Sequence, residues 1–223
     1  MATKVPVLIL VGFGSGNGLG IARAFGSAGF RLGLISRRPE LQADSLVDLA
    51  MLGIDAIAFP ADAGNPKSLA SAMSDASARL GEADVLIYNV VGPHFGRPST
   101  LTPEGLTSDF SVNVVGGLVA AQAVLPFFKA RGSGTIFFTG GGWSIHPYVE
   151  AASASLGKAA LRNLSLNLAE ELRGTGVRVG TLTILGAVKA GTAFDPEKIG
   201  RAFLDYHNMP SGEFPPELMF KGS

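Results

Sequence analysis

The run Val5-Pro6-Val7-Leu8-Ile9-Leu10-Val11-Gly12-Phe13-Gly14-Ser15-Gly16-Asn17-Gly18-Leu19-Gly20-Ile21-Ala22-Arg23-Ala24-Phe25 decides how this chain folds. Its apolar half reads as a strand, the alternating glycines as a turn, and the segment from about Ile21 as a helix. Glycine lets the backbone turn sharply and approach a ligand with no Cβ in the way, while the free N–H groups and positive end of the next helix favour a phosphate. Strand, turn and helix together form a cradle for a dinucleotide.

The spacing selects the kind of cradle. A G-x-G-x-x-G pattern cannot be placed, because it would need glycine at Asn17 or at Leu19. G-x-x-x-G-x-G fits twice, as Gly12/Gly16/Gly18 and as Gly14/Gly18/Gly20. The second frame sets Gly18-Leu19-Gly20 directly against the helix; a glycine-rich turn without a ligand is the alternative. The wider spacing resembles the short-chain dehydrogenase/reductase family, whose motif is T-G-x-x-x-G-[IL]-G, with Phe13 where that family usually has threonine. The resemblance implies a dinucleotide lying on Gly14, Ser15, Gly16, Asn17, Gly18 and Leu19.

A length of 223 residues suits one domain, 1–223, with a sizeable core. Hydrophobic residues at 47% against 16% charged exclude a disordered chain. Lys+Arg 18 balance Asp+Glu 18, which leaves no field to attract nucleic acid or an anionic membrane. With Cys 0 there is no disulfide or thiolate nucleophile, and three separated histidines offer no metal site. The start of the chain is too soon broken by Pro6 for a signal peptide, so a cytoplasmic home is expected. Asn113, Gln122 and Pro126 interrupt the most apolar region, and no run is expected to span a membrane.

Further strands are expected at 30–35, 54–59, 85–88, 134–139, 177–184 and 216–220, with helices at 40–52, 66–80, 106–129 and 151–173. Asn65 and Thr102 are candidate N-caps, Gly81 is a helix stop, and the prolines Pro93, Pro98 and Pro103 mark a surface loop. Alternating strands and helices predict an α/β fold, a doubly wound parallel sheet of about seven strands with helices on both faces, Rossmann-like in the resembled family. Ligands in such sheets lie beyond the carboxyl ends of the strands. Ser36, Arg37 and Arg38 end the second strand with nothing acidic behind them, and guanidinium suits the 2′-phosphate of NADP better than the hydroxyl of NAD. The alternative is that the arginines merely cap an exposed strand end. By resemblance, Asp62 and Ala63 border the adenine, Asn89 and Val90 stand in the family's N-N-A-G segment, Thr139 closes the fifth strand, and Gly186 and Val188 approach the nicotinamide. Tyr88, Val90 and Val91 depart from the family pattern.

The family reduces carbonyls with a proton from tyrosine in Y-x-x-x-K, a serine on the preceding strand and an asparagine in V-N-x-x-G. Lys158 matches the lysine and Asn113 the asparagine, but Ala154 stands at the tyrosine and Gly141 at the serine. His146 and Tyr148 lie on the loop before the helix and are candidate proton donors; an ordinary imidazole, near pH ~6.5, needs less tuning than a phenol near ~10. Ser144 and Thr139 are candidate carbonyl donors, and each of these is alternatively an ordinary loop residue. His94 and His207 read as surface residues, and Gly191 to Pro210 as too short for a lid. The resemblance implies an NADP-dependent oxidoreductase acting on a small carbonyl or alcohol with a substitute proton donor, arranged as a homodimer or homotetramer through the two long helices. Its rivals are a non-catalytic NADPH sensor or partner subunit, and reduction of an activated double bond, which needs no tyrosine.

Overall fold

The computed structural model describes residues 4–92 and 94–222; Pro93 of the expected surface loop lies outside them. The elements are β1 Val7–Val11, α1 Asn17–Ser27, β2 Arg31–Ser36, α2 Ala43–Met51, β3 Ala56–Pro60, α3 Pro66–Leu80, β4 Val85–Tyr88, α4 Pro103–Phe110, α5 Gly116–Arg131, β5 Gly134–Gly141, α6 Ala152–Glu171, β6 Val177–Ile184, α7 Pro196–Asn208 and β7 Glu217–Phe220. The strands form one sheet in the order β3-β2-β1-β4-β5-β6-β7, every pair parallel.

Alternation of side chains builds two cores. Val7, Ile9 and Val11 of β1 join α3, α5 and α6 on one face, while Leu8 and Leu10 join α1, α2 and α7 on the other. Both faces are covered, so the central strands are apolar throughout. Burying Leu8 and Leu10 fully contributes roughly 2 to 3 kcal/mol each. At the sheet edge, Arg162 of α6 donates from Nε to Glu217 of β7 at 2.8 Å and Thr183 of β6 donates to the same carboxylate at 2.6 Å. That clamp holds the last strand, and the Arg162 bonds push the Glu217 pKa down.

Several boundaries move for local reasons. Helix α1 begins at Asn17, not near Ile21, because Leu19 N–H already donates to Gly14 and Gly16 carbonyls. Before α2, Pro39–Gln42 takes a tighter single turn, so the regular helix is shorter than 40–52. The expected cap Asn65 accepts from Lys67 and Ser68 N–H, and Thr102 accepts from Gly105 N–H.

One helix lies where the sequence reading assigned none, and one expectation is corrected. Gly191 to Pro210 contains α7, capped by Asp195 with Pro196 at its first position. This helix lies on α1 so closely that a Cβ on Gly20 would overlap the Pro196 carbonyl, and one on Gly200 the Gly20 carbonyl. The correction concerns Asn113, Gln122 and Pro126, which do not interrupt the helix: 103–131 is continuous and is long and apolar enough to cross a membrane by length and composition. Its inner face packs on the sheet through Val124, Leu125 and Phe128. Asn113 is absorbed in a wider π turn, Ser111–Val115, between α4 and α5. The phenol of Tyr88 donates to the Val112 carbonyl of that turn, and Gly116 leaves room for it. Burial accordingly pushes the Tyr88 pKa up.

Candidate active site

The glycine turn brings β1 against the end of β4. Gly12 has φ +91, and a Cβ there would stand 2.7 Å from the Asn89 carbonyl oxygen. Asn89 Nδ2 donates to the Gly12 carbonyl at 3.1 Å, and Thr139 Oγ1 donates to Asn89 Oδ1 at 3.0 Å, tying β1, β4 and β5 together at their carboxyl ends. Gly14 and Gly16 face open space, whereas Gly18 packs on Gly12 and Phe13. Gly16 caps α1 with no side-chain hydrogen bond, and no acidic residue occupies the first turn, so the leading N–H groups keep their capacity for an anion. Ser15 is exposed on the turn.

A recess of about 240 Å³ runs from this turn across the ends of β2, β3 and β4, lined among others by Ser36, Arg37, Asp62, Ala63 and Val90. Arg38 is exposed beside it, at the start of the Pro39 turn. Neither guanidinium has a salt-bridge or hydrogen-bond partner among the described residues. Asp62 Oδ1 accepts from Gly64 N–H at 2.9 Å, which fixes the carboxylate at the recess wall. Ser36 Oγ and Asn17 Oδ1 are buried without a partner among the described residues. Such groups are costly unless something completes their bonding, and both belong to the surface where the sequence places a dinucleotide.

Sharing Asn89 and Val91 with that recess is a cavity of about 1040 Å³. Its wall includes Asn17, Thr139, Gly141, His146, Lys158, Gly186 and Val188, with apolar Trp143, Ile145, Leu185 and Met219. Lys158 Nζ donates to the Thr139 carbonyl at 2.7 Å and the Val90 carbonyl at 3.4 Å. Burial lowers its pKa from 10.5 to about 8, since a desolvated ammonium is disfavoured. Ala154 lies buried one turn before Lys158, and a Cβ at Gly141 would meet nothing within 4 Å. Asn113 Oδ1 accepts from Gly92 N–H at 2.6 Å, while its buried Nδ2 has no partner among the described residues and packs against Gly157, the neighbour of Lys158.

The structure separates the two expected loop donors. His146 lines the cavity; Tyr148 instead stacks on Trp143 with ring centroids 5.4 Å apart and does not belong to the wall. Ser144 spends its hydroxyl on the Gly141 carbonyl at 2.8 Å. The reading of His207 as a surface residue is corrected, whereas His94 does lie at the surface, its side chain 55% exposed. His207 is wedged between Phe25, Phe30 and Arg178, and burial lowers its pKa to about 4. His94 is held through Nδ1 by the buried carboxylate of Asp109, which also accepts from Ser153 Oγ at 2.6 Å. Asp109 was not singled out in the sequence. Its signal was its place four residues before Asn113, on the same helix face.

Comparisons with known proteins agree with this geometry. The short chain dehydrogenase family profile matches residues 6–196. The chain is 25% identical over 217 residues to a peroxisomal 2,4-dienoyl-CoA reductase of Arabidopsis thaliana, covering 90% of this chain and 71% of the relative. It is 29% identical over 218 residues to 2-(S)-hydroxypropyl-CoM dehydrogenase 3 of Xanthobacter autotrophicus, covering 95% and 84%. Among solved structures, a metagenomic short-chain oxidoreductase in complex with NADP superposes with a TM-score of 0.89 at 24% identity, each chain covered fully at 100%. At that identity the superposition speaks for the fold. The chain belongs to the short-chain dehydrogenase/reductase family, and its relatives are oxidoreductases.

Proposed function

We propose that this protein is an NADP(H)-dependent oxidoreductase that moves hydride to or from a small apolar carbonyl or alcohol substrate, with a proton donor other than a tyrosine at position 154. One observation carries the reading: an anion cradle with unclaimed N–H groups opens into an apolar cavity that contains Lys158. The unpartnered Ser36 and Asn17 oxygens fit a dinucleotide. Gly14 to Leu19 would hold its diphosphate, Ser36, Arg37 and Arg38 the adenosine 2′-phosphate, Asp62 and Ala63 the adenine, and Asn89, Val90, Thr139, Gly186 and Val188 its nicotinamide half. When bound, the nicotinamide supplies the hydride. Lys158 offers an ammonium for the ribose hydroxyls, and Asn113 fixes the backbone at Gly92 beside it. Trp143, Leu185 and Met219 exclude water. Long helices α5 and α6 are the surfaces for a second subunit.

Ala154 offers only a methyl, and Gly141 no side chain, where the family carries its acid and its carbonyl donor. Reduction of an activated carbon–carbon double bond is therefore a second reading, favoured by the resemblance to a dienoyl-CoA reductase. Fluorescence titration with NADPH and with NADH, followed by NADPH oxidation over panels of apolar carbonyls and enones, tests both. Tight NADPH binding with turnover of one panel supports the corresponding reading. Binding without turnover, with activity appearing only after Ala154→Tyr and Gly141→Ser, would instead indicate a sensor or partner subunit.

A further inference from the structure

Resting on the oxidoreductase reading, we propose that the cavity selects an uncharged aromatic carbonyl compound, whose ring stacks on Trp143 and enters the gap left at Gly141. On that reading the nicotinamide half of the dinucleotide takes the wall at Asn89, Thr139, Gly186 and Val188. What remains for a substrate is Val91, Ile145, Leu185 and Met219 around Trp143 and two glycines, Gly141 and Gly142. Among the described residues the whole wall has no carboxylate and no arginine. Its one ammonium, Lys158, already donates to the Thr139 and Val90 carbonyls, and the exposed imidazole of His146 is the other ionisable group. A carboxylate or phosphate taken out of water without a partner is costly, so the part of the substrate that enters is neutral.

Two features favour a ring over a chain of methylenes. Gly140, Gly141 and Gly142 follow one another at the end of β5, yet packing requires only the first: a Cβ on Gly140 would stand 2.6 Å from Thr183 Oγ1 and 2.8 Å from Thr181 Oγ1. On Gly141 it would meet nothing within 4 Å, on Gly142 nothing nearer than Leu185 at 3.6 Å, and none of the three has a positive φ. Neither packing nor backbone demands glycine at 141, and what the missing side chain supplies is a flat strip of peptide on the cavity wall. The second feature is Trp143. Tyr148 stacks on its indole with the planes 19° apart, yet Tyr148 is no part of the wall. Tyr148 is itself tied to the start of α6, where its N–H donates to Ser155 Oγ at 3.1 Å and its carbonyl accepts from Ala151 N–H at 3.0 Å. The indole, 39% exposed, therefore meets the cavity with the side that Tyr148 leaves bare. A side chain braced from behind loses little freedom when a ligand lands on it.

An aromatic ring gains there what a saturated ring of equal size does not. Both bury apolar area, but only the aromatic one adds offset stacking on the indole, worth about two- to tenfold in affinity. Met219 adds a polarisable thioether to the same wall. With no hydroxyl at Gly141 or Ala154 to hold the carbonyl, the stacked ring is what orients the reacting carbon. Trp143 is thus the specificity-determining residue and Tyr148 a positioning residue behind it.

The chain contains a single tryptophan, so the site carries its own reporter. Acetophenone, cyclohexyl methyl ketone and benzoylformate are titrated into the full chain with and without NADP. Calorimetry gives the affinities, and Trp143 emission, corrected for ketone absorption, gives the place of binding. Acetophenone is expected to quench Trp143, to bind about fivefold tighter than cyclohexyl methyl ketone, and to bind more tightly than benzoylformate. Trp143→Leu should bring the aryl-to-cyclohexyl ratio to about one in affinity and, for whichever panel is turned over, in KM. Tyr148→Leu should lower the same ratio partway. Gly141→Val should weaken acetophenone about tenfold by filling the gap, with NADPH affinity read alongside as a check on the fold. No preference for the aryl ketone, a ratio that survives Trp143→Leu, acetophenone affinity unaltered by Gly141→Val, or tighter binding of benzoylformate would each overturn the proposal. A wild-type chain that binds no NADPH, or turns over neither panel, sinks the oxidoreductase reading instead; the ketone titrations need no turnover and judge the cavity by themselves.

Discussion

Gly12 and Gly14, two residues apart in one turn, should respond oppositely to the same methyl group. At Gly12 an alanine meets two costs. Its φ of +91 lies in the left-handed region, which costs an L-residue roughly 1 to 2 kcal/mol. Its Cβ would also stand 2.7 Å from the Asn89 oxygen, 2.8 Å from the Asn89 carbonyl carbon and 2.9 Å from Val90 Cγ2. Backbone cannot rotate away as a side chain can, so the ends of β1 and β4 must part, an overpacking cost of about 1 to 3 kcal/mol. Gly12→Ala should therefore lose about 3 kcal/mol, and for a chain of this size the melting temperature should fall by roughly 6 to 12 °C. At Gly14 a Cβ meets nothing within 4 Å and φ is not positive. Gly14→Ala should stay within about 0.5 kcal/mol of wild type, yet weaken NADPH about tenfold or more, because the methyl projects where the diphosphate must approach. Thermal melts by circular dichroism and fluorescence titration read the two effects separately. If Gly14→Ala destabilises as much as Gly12→Ala, or Gly12→Ala melts within 2 °C of wild type by that roughly 2 to 4 °C per kcal/mol scale, the assignment of close approach to one glycine and ligand space to the other is wrong.

Arg37→Ala is expected to weaken NADPH about tenfold, or about 1.4 kcal/mol, and to leave NADH nearly unchanged; Arg38→Ala should do less, since Arg38 stands outside the recess. Equal losses for the two nucleotides in the same titration would remove the 2′-phosphate role. For Lys158, burial lowers the folded pKa from 10.5 to about 8, so between those pH values the unfolded chain holds the proton that the folded chain has lost. Stability from this group rises with pH across that window, by at most about 3 kcal/mol, and urea melts of Lys158→Met should lack the rise. His207, lowered from 6.5 to about 4, likewise favours the unfolded chain on acidification. Its contribution should be lost between those values, about 1 to 2 kcal/mol after discounting for partial exposure, and His207→Gln should flatten that limb of an acid unfolding curve.

The sheet could be read because its strands are buried on both faces and its punctuation is local. Val177 to Ile184 and Pro66 to Leu80 fall where the apolar runs and caps place them. Helix α7 escaped because its apolar set, Ile199, Phe203, Leu204 and Tyr206, is spread among charged residues in a segment bounded by Gly191 and Pro210, and its meaning comes from the backbone surface offered by Gly20. The π turn is likewise tertiary: the Val112 carbonyl is satisfied by Tyr88, 24 residues earlier. Tyr88, which departs from the family segment, is thus explained by a bond that no local pattern reports. The cradle was legible because one loop contains it. His94 and Asp109 were not, because their pairing spans a proline-rich loop whose path only the packed α4 and α6 define.

The clamp on β7 bears on how the molecule breathes. The strand is bonded to the sheet on one side only, and its Glu217 side chain is 11% exposed, so the carboxylate gains little water until it has left Arg162 and Thr183 altogether. Partial fraying therefore has no stable stopping place, and the amides of β7 that face β6, those of Leu218 and Phe220, should exchange together. Met219 travels with them and takes part of the cavity wall away. A compound seated in the cavity and touching the strand only through Met219 should consequently protect both inward amides, which would make this edge a reporter of occupancy that requires no turnover.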